Sequence, residues 1–270
     1  MRNSTSLVTL AAAGLLAAGL SLPARQAQAQ VVFQAAGPDA ASIAGTVAAF
    51  RAALGEPNNA NNPGPLAAGR REINWDGGAG NNDPNLATTT APATPFVVFQ
   101  NIRGATFTTP GTGLSQGPAS GGGDGGFATL VGNPTYGDTF TFFSPARLFG
   151  PVGSTFTDGV FSVPGTGGTV PAAVRGFGAV FTDVDKPNGD PIKHSTQIEY
   201  FGVDGRRIFT GLVPAAPGDK GLSFFGLLFD EAVITRVRIK TGDAKLGPDD
   251  GKQDIVLMDD FLYGEPQPLE

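Results

Sequence analysis

The chain is predicted to be mainly β, a two-sheet antiparallel jelly-roll-like β-sandwich with one short N-terminal helix. Three observations predict this. Short apolar stretches alternate with polar residues at period two, the mark of half-buried strands. Turn formers recur between them, with 40 Gly and 22 Pro in 270 residues, and 20 Phe supply bulk for a core. No strand–helix–strand alternation occurs, so a parallel α/β sheet is not expected.

Residues 1–29 read as a secretory signal peptide. Arg2 gives the positive start, residues 7–22 form an apolar run, and Ala27-Gln28-Ala29 fits a small-x-small cleavage site. The run is short for a membrane span. Release into the periplasm or outside the cell, without a membrane anchor, is therefore expected. Residues 30–68 form a helical element and an Asn/Pro/Gly linker. Within them Ile43, Val47, Phe50 and Leu54 recur on one helical face, with Asp39 or Ser42 able to cap the start and Gly55 the end. The run from Glu56 to Pro65 reads as linker.

The sandwich domain is expected over residues 69–270. Ile73 and Trp75 alternate with Glu72, Asn74 and Asp76 in a first strand. Strands are also expected at 96–99, 102–109, 140–143, 147–149 and 155–163. Residues 110–126, rich in Gly, read as a surface loop; no Lys follows them in a phosphate-binding pattern. In the strand 175–181, Gly176 and Gly178 share a face, which predicts close approach of a backbone or a ring. Strands at 196–201 and 206–209 flank an Asp204-Gly205 hairpin turn. Residues 222–229 are a near-continuous apolar run, 234–240 alternate, and a final strand starts at Ile255. The first and last strands are candidate neighbours.

Composition excludes several functions. The absence of cysteine removes thiol catalysis, thiolate zinc sites and disulfides, and the single histidine, His194, leaves little for imidazole chemistry. The net charge is −6, and Arg2 and Arg25 leave with the signal peptide, so the exported chain is more acidic still. Nucleic acid and anionic membranes reward basic patches and are not expected partners.

The strings Gly69-Arg-Arg-Glu-Ile-Asn-Trp-Asp-Gly77, Arg175-Gly-Phe-Gly-Ala-Val-Phe-Thr-Asp-Val-Asp185, Ile198-Glu-Tyr-Phe-Gly-Val-Asp-Gly205 and Val256-Leu-Met-Asp-Asp-Phe-Leu-Tyr-Gly264 carry a resemblance. They are similar to a group of uncharacterised exported bacterial β-sandwich proteins. The order of these motifs also resembles sandwich domains of surface proteins with the PEP-CTERM sorting signal and, more loosely, carbohydrate-binding jelly rolls. The resemblance implies a fold and an exported location. The closing Gly-Glu-Pro-Gln-Pro-Leu-Glu lacks the apolar helix and basic tail of that signal, so a released protein is expected.

Calcium is the cofactor expectation, because acid-rich loops suit a cation with six to eight oxygen ligands. Asp183, Asp185 and Asp190 lie in one loop that approximates an EF-hand, although Pro187 occupies a ligand position. Asp259 and Asp260 end an apolar run and are a second candidate, with Glu72 or Asp76 as partners; a salt bridge to Arg70, Arg71 or Arg175 is the rival reading. Strand parity predicts that at most one of Asp259 and Asp260 faces the core. Glycan or another cell-surface polymer is the partner expectation, with Tyr136 as the exposed stacking aromatic and Trp75 as a candidate assigned mainly to the core. Glycosidase carboxylates on one strand as Glu-x-Asp-x-x-Glu are missing, and His194-Ser195 lacks a nucleophile elbow. A non-catalytic binding module is expected, with a secreted glycosidase-like hydrolase or a structural envelope or matrix protein as alternatives.

Overall fold

The computed structural model describes residues 30–77, 87–186, 195–248 and 252–269. Its elements in order are β1 (Gln30–Gly37), α1 (Ala40–Leu54), β2 (Arg70–Ile73), α2 (Gln100–Arg103), β3 (Ala105–Thr108), β4 (Gly113–Gly117), α3 (Gly126–Val131) and α4 (Tyr136–Thr139). Then follow β5 (Leu148–Val152), β6 (Phe156–Phe161), β7 (Ala172–Ala173), β8 (Gly176–Thr182), β9 (Gln197–Phe201) and β10 (Arg207–Leu212). The last are β11 (Leu222–Phe229), β12 (Arg236–Lys240), β13 (Leu257–Gly264) and β14 (Gln267–Pro268).

The protein is mainly β, with open antiparallel sheets. One large sheet runs β1-β11-β8-β13-β5-β4, with β2 added through β13; a second runs β10-β9-β12-β6-β3, and β14 pairs with β7. The two large sheets share one core. Phe149, Phe177, Phe181, Phe225 and Phe261 enter it from the first, and Phe107, Phe161, Ile198, Tyr200 and Val237 from the second. Trp75 lies at its centre, stacked on Phe149 at 3.6 Å with the rings 4° from parallel.

The other face of the larger sheet is also buried, because α1 lies on it. Ile43, Val47, Phe50 and Leu54 pack against Val180, Leu222, Phe224, Leu228 and Leu262. Alternate residues of β11 thus enter different cores: Phe225 and Leu227 the shared one, Phe224 and Leu228 the one under α1. A strand covered on both faces has no reason to alternate, which accounts for the continuous apolar run at 222–229. Asp39 caps α1 by accepting from Ser42 N at 2.9 Å, and Gly55, at φ 113°, donates back to Arg51 O at 3.2 Å. A left-handed φ of this kind favours glycine.

Several elements differ from the sequence expectation. Residues 30–37 form an edge strand, β1, paired with β11 along its length, where only helix and linker were expected. Part of the Gly-rich stretch 110–126 is strand β4, paired with β5. Residues 97–99 lead into α2, and 140–143 carry no strand. The linker is ordered by Arg71, a fully buried side chain that donates to Ala60 O at 2.8 Å and Asn62 O at 2.7 Å while pairing with Glu265 through two bonds of 2.6 and 2.7 Å.

Close approach of α1 needs a floor without side chains. A Cβ on Gly178 would stand 2.8 Å from Phe50 Cε1 and 2.9 Å from Gly226 Cα, and one on Gly226 would meet the same ring at 2.9 Å. The paired glycines therefore make room for Phe50, as the spacing of Gly176 and Gly178 suggested. Gly178→Ala is expected to lower stability by about 1–3 kcal/mol through overpacking. Added to Phe50→Leu it should cost less than it does alone. Denaturant melts of the two single variants and the double variant check this; strict additivity would contradict the contact.

Candidate functional site

The acidic pair of the closing segment sits on β13, between β8 and β2. Against β8 the register moves from Met258 opposite Phe181 to Phe261 opposite Ala179. Three steps on β13 therefore match two on β8, and Asp259 and Asp260 together oppose Val180. A bulge of this kind suspends the two-residue alternation. Both side chains are buried, at 0 % and 3 % exposure, and both reach Ser144. The expectation that the pair would divide between two faces is thus corrected.

Each carboxylate has defined donors. Asp259 Oδ2 accepts from the backbone amides of Phe143 at 2.7 Å and Ser144 at 3.2 Å, and its Oδ1 accepts from Asp260 N at 2.9 Å. Asp260 Oδ1 accepts from Ser144 Oγ at 2.6 Å, and Oδ2 accepts from Arg51 Nη2 of α1 at 2.8 Å. Asp76 Oδ1 accepts from Arg147 N at 3.0 Å, and Oδ2 from Asn74 Nδ2 at 2.7 Å. Trp75, at φ 64°, turns the chain between Ile73 and Asp76, and its indole N–H donates to Asp259 O at 3.1 Å.

Charge is in deficit here. Arg51 spans Asp260 and Glu72, the latter at 3.1 Å, while Arg70 holds the other oxygen of Glu72 at 2.6 Å. No such guanidinium contact reaches Asp76 or Asp259 among the bonds above. Ser144 has one hydroxyl proton and stands 2.6 Å from Asp260, 3.4 Å from Asp259 and 3.4 Å from Asp76. It can donate to only one of them. The other close contacts become favourable when a carboxyl carries the proton itself. Burial, then the charge of Asp260, pushes Asp259 well above the usual carboxylate range. Burial also raises Asp260, against the pull of Ser144 and Arg51. Asp76 is pushed up to about 6, chiefly by burial, with backbone amides opposing and Asp260 adding to the rise. The arrangement can hold and share protons in a water-poor site.

The sequence candidates fall into distinct groups. Glu72, Asp76, Asp259 and Asp260 come together because β2 pairs with β13, Phe261 opposite Ile73 and Gly264 opposite Arg70. The guanidinium at Asp260 belongs to Arg51, not to Arg70, Arg71 or Arg175: Arg70 holds Glu72 and Glu56, Arg71 holds Glu265, and Arg175 Nε donates to Phe229 O at 3.4 Å. Arg51 had a signal, since it borders the apolar face one residue after Phe50; Ser144 had none. Asp183 and Asp185 belong elsewhere. Asp185 Oδ1 accepts from Gly218 N at 2.7 Å and its amide donates to Asp254 Oδ1 at 3.1 Å. Asp183, at φ 69°, donates its amide to Gly221 O at 2.9 Å. Asp190 and His194 lie outside the described residues. Among the described residues no group of three His, Cys, Asp or Glu is placed to hold a metal ion.

Tyr136 is also corrected. It is fully buried, packs its ring on Phe140 at 4.8 Å and donates its hydroxyl to Gly247 O at 2.9 Å. The Pro-Thr-Tyr-Gly segment that suggested an exposed turn leads into α4, which turns the ring inward. Trp75, Tyr200 and Tyr263 are buried as well. Neither named aromatic offers a stacking face to a sugar.

The raised carboxyls fix a sign. Asp76 binds its proton more tightly in the fold than in the open chain, so its contribution to stability falls as the pH rises from about 4 to about 6 and is constant above. Asp76→Asn should therefore gain on the native protein by about 2–3 kcal/mol between pH 4 and pH 7. Urea unfolding at a series of pH values measures this. A difference that stays flat, or runs the other way, contradicts the assignment.

No protein-family model matches the chain, and neither a curated protein nor a solved structure matches it significantly.

Proposed function

We propose that the chain is an exported, non-catalytic module of the cell surface, envelope or extracellular matrix, its two large sheets forming a jelly-roll-like sandwich. One observation supports this best. The most concentrated reactive groups among the described residues, Asp76, Asp259, Asp260 and Ser144, join α1, residues 143–147, β2 and β13 to each other. A general acid must reach a substrate atom at hydrogen-bond distance. Here Asp76, Asp259 and Asp260 are each at most 3 % exposed, and their oxygens are directed at amides, Arg51 and Ser144. That burial speaks against a catalytic role for these carboxylates. The signal-peptide reading of residues 1–29, outside the described residues, supplies the exported location.

A partner polymer would be met through polar loops and sheet edges, since Trp75 and Tyr136 are not on the surface. Fractionation of the producing cells, followed by sedimentation of purified protein with envelope and extracellular polymer, tests the reading. The protein is expected in the exported fraction and in the polymer pellet, with the polymer left uncut. Cytoplasmic retention of the processed chain, or release of soluble sugars or peptides from the polymer, would overturn it.

The proposed calcium dependence attaches to the loop that begins at Asp183 and Asp185, whose residues 187–190 lie outside those described. A ligand that binds only the folded state raises the melting temperature by mass action. Melts with millimolar Ca²⁺ and with chelator test it directly. A rise of several degrees that Asp185→Asn abolishes supports the site; equal melting temperatures remove it.

A further inference from the structure

Apart from β2, which branches from β13 and is bridged on its outer side by Asn58, the two large sheets end in four strands, and three of these are protected. At β4, Leu114 exchanges two backbone bonds with Ala93, of 3.1 and 2.9 Å. At β3, Phe107 exchanges two with Phe96, of 3.2 and 2.7 Å. The edge strand β10 is bulged between Arg207 and Phe209, and carries the charged Arg207, paired with Glu199. Covering, bulges and charge are the devices that keep a sheet edge from accepting another strand.

Among the described residues the fourth edge, β1, shows none of them. It pairs with β11 over eight consecutive residues without a shift in register. Among the described residues no backbone bond reaches its other side. The sequence Gln-Val-Val-Phe-Gln-Ala-Ala-Gly contains no charge and no proline, and Val31 and Val32 are 50 % and 41 % exposed.

We propose that β1 pairs with β1 of a second copy of this chain, joining two of the large sheets across a two-fold axis. The strand itself selects this occupant. A two-fold antiparallel pairing places residues of equal parity opposite each other, because side chains keep to their face of the sheet. Centred on Gln34, it sets Phe33 opposite Ala35, Val32 opposite Ala36 and Val31 opposite Gly37. Large residues in the first half of β1 thus meet small ones in the second half, and Gln34 meets itself. An acidic chain of net charge −6 repels its own copies over most of its surface. An uncharged strand is where that repulsion is least.

The chain has no cysteine, so a single introduced thiol can form a disulfide only between two copies. Gln34→Cys places two thiols directly across the axis, within reach of a disulfide. Mild oxidation is expected to convert it to a covalent dimer at least ten times faster than Val203→Cys, whose site is 62 % exposed on the turn between β9 and β10. In sedimentation, the native protein should be a dimer at micromolar to tens-of-micromolar concentrations. Val32→Lys should weaken the dimer at least tenfold, with a melting temperature equal to that of the native protein at concentrations low enough for both to be monomeric. A native protein that stays monomeric throughout, a dimer indifferent to Val32→Lys, or equal oxidation of the two cysteine variants would each overturn the proposal. Capture of a foreign extended peptide by a monomer would overturn it equally.

Discussion

The structure depends on a bulge in β13 that aims two adjacent carboxylates at one side. Without it, Asp259 and Asp260 would point to opposite faces, and one of them would enter the phenylalanine core around Trp75. With it, both lie toward α1 and residues 143–147, where amides, a hydroxyl and a guanidinium are available. A carboxylate buried this far is costly unless each oxygen is satisfied. The cluster is therefore better read as a constraint on geometry than as a source of net stability. Removing one partner costs more than the intact arrangement stabilises, because it leaves a charge or a donor stranded. Such groups tolerate one arrangement of helix, loop and strand, and penalise others.

Both ends of β13 are fastened to the start of the chain. Arg51 reaches Asp260 across 209 positions, and Arg71 reaches Glu265 across 194. Between these two contacts β2 supplies the strand pairing. The ordered linker, the helix and β2 thus depend on residues near the end of the sequence. Contacts of such separation slow folding, since the intervening chain must close first.

Much of this was legible because it follows from burial and spacing. The face Ile43, Val47, Phe50 and Leu54, the alternation at 234–240 and the glycine spacing at Gly176 and Gly178 all report what one side of an element touches. The meeting of β2 and β13 was legible only as a tendency of chain ends. The bulge was not, because nothing in Met-Asp-Asp-Phe reveals an extra residue until the partner strand is known. For the same reason Ser144 escaped notice: residues 140–143 look like a strand, yet the amides of Phe143 and Ser144 serve Asp259 instead of a neighbour in a sheet. Tyr136 misled because local turn chemistry says nothing of which way a ring points once Leu148 and Leu257 offer it a core. The edge strand β1 was hidden by its position against the predicted signal peptide.

The central claim is that Arg51 and Asp260 act as one unit tying α1 to the bulged strand. A double-mutant cycle of Arg51→Met and Asp260→Asn, read by denaturant unfolding at pH 7, tests it most directly. Arg51 retains some exposure, which moderates the coupling; it is expected at about 1–2 kcal/mol, with each single variant lowering stability by more than the second change adds to the first. A coupling energy indistinguishable from zero would contradict the account, and the helix would then be held by its apolar face alone.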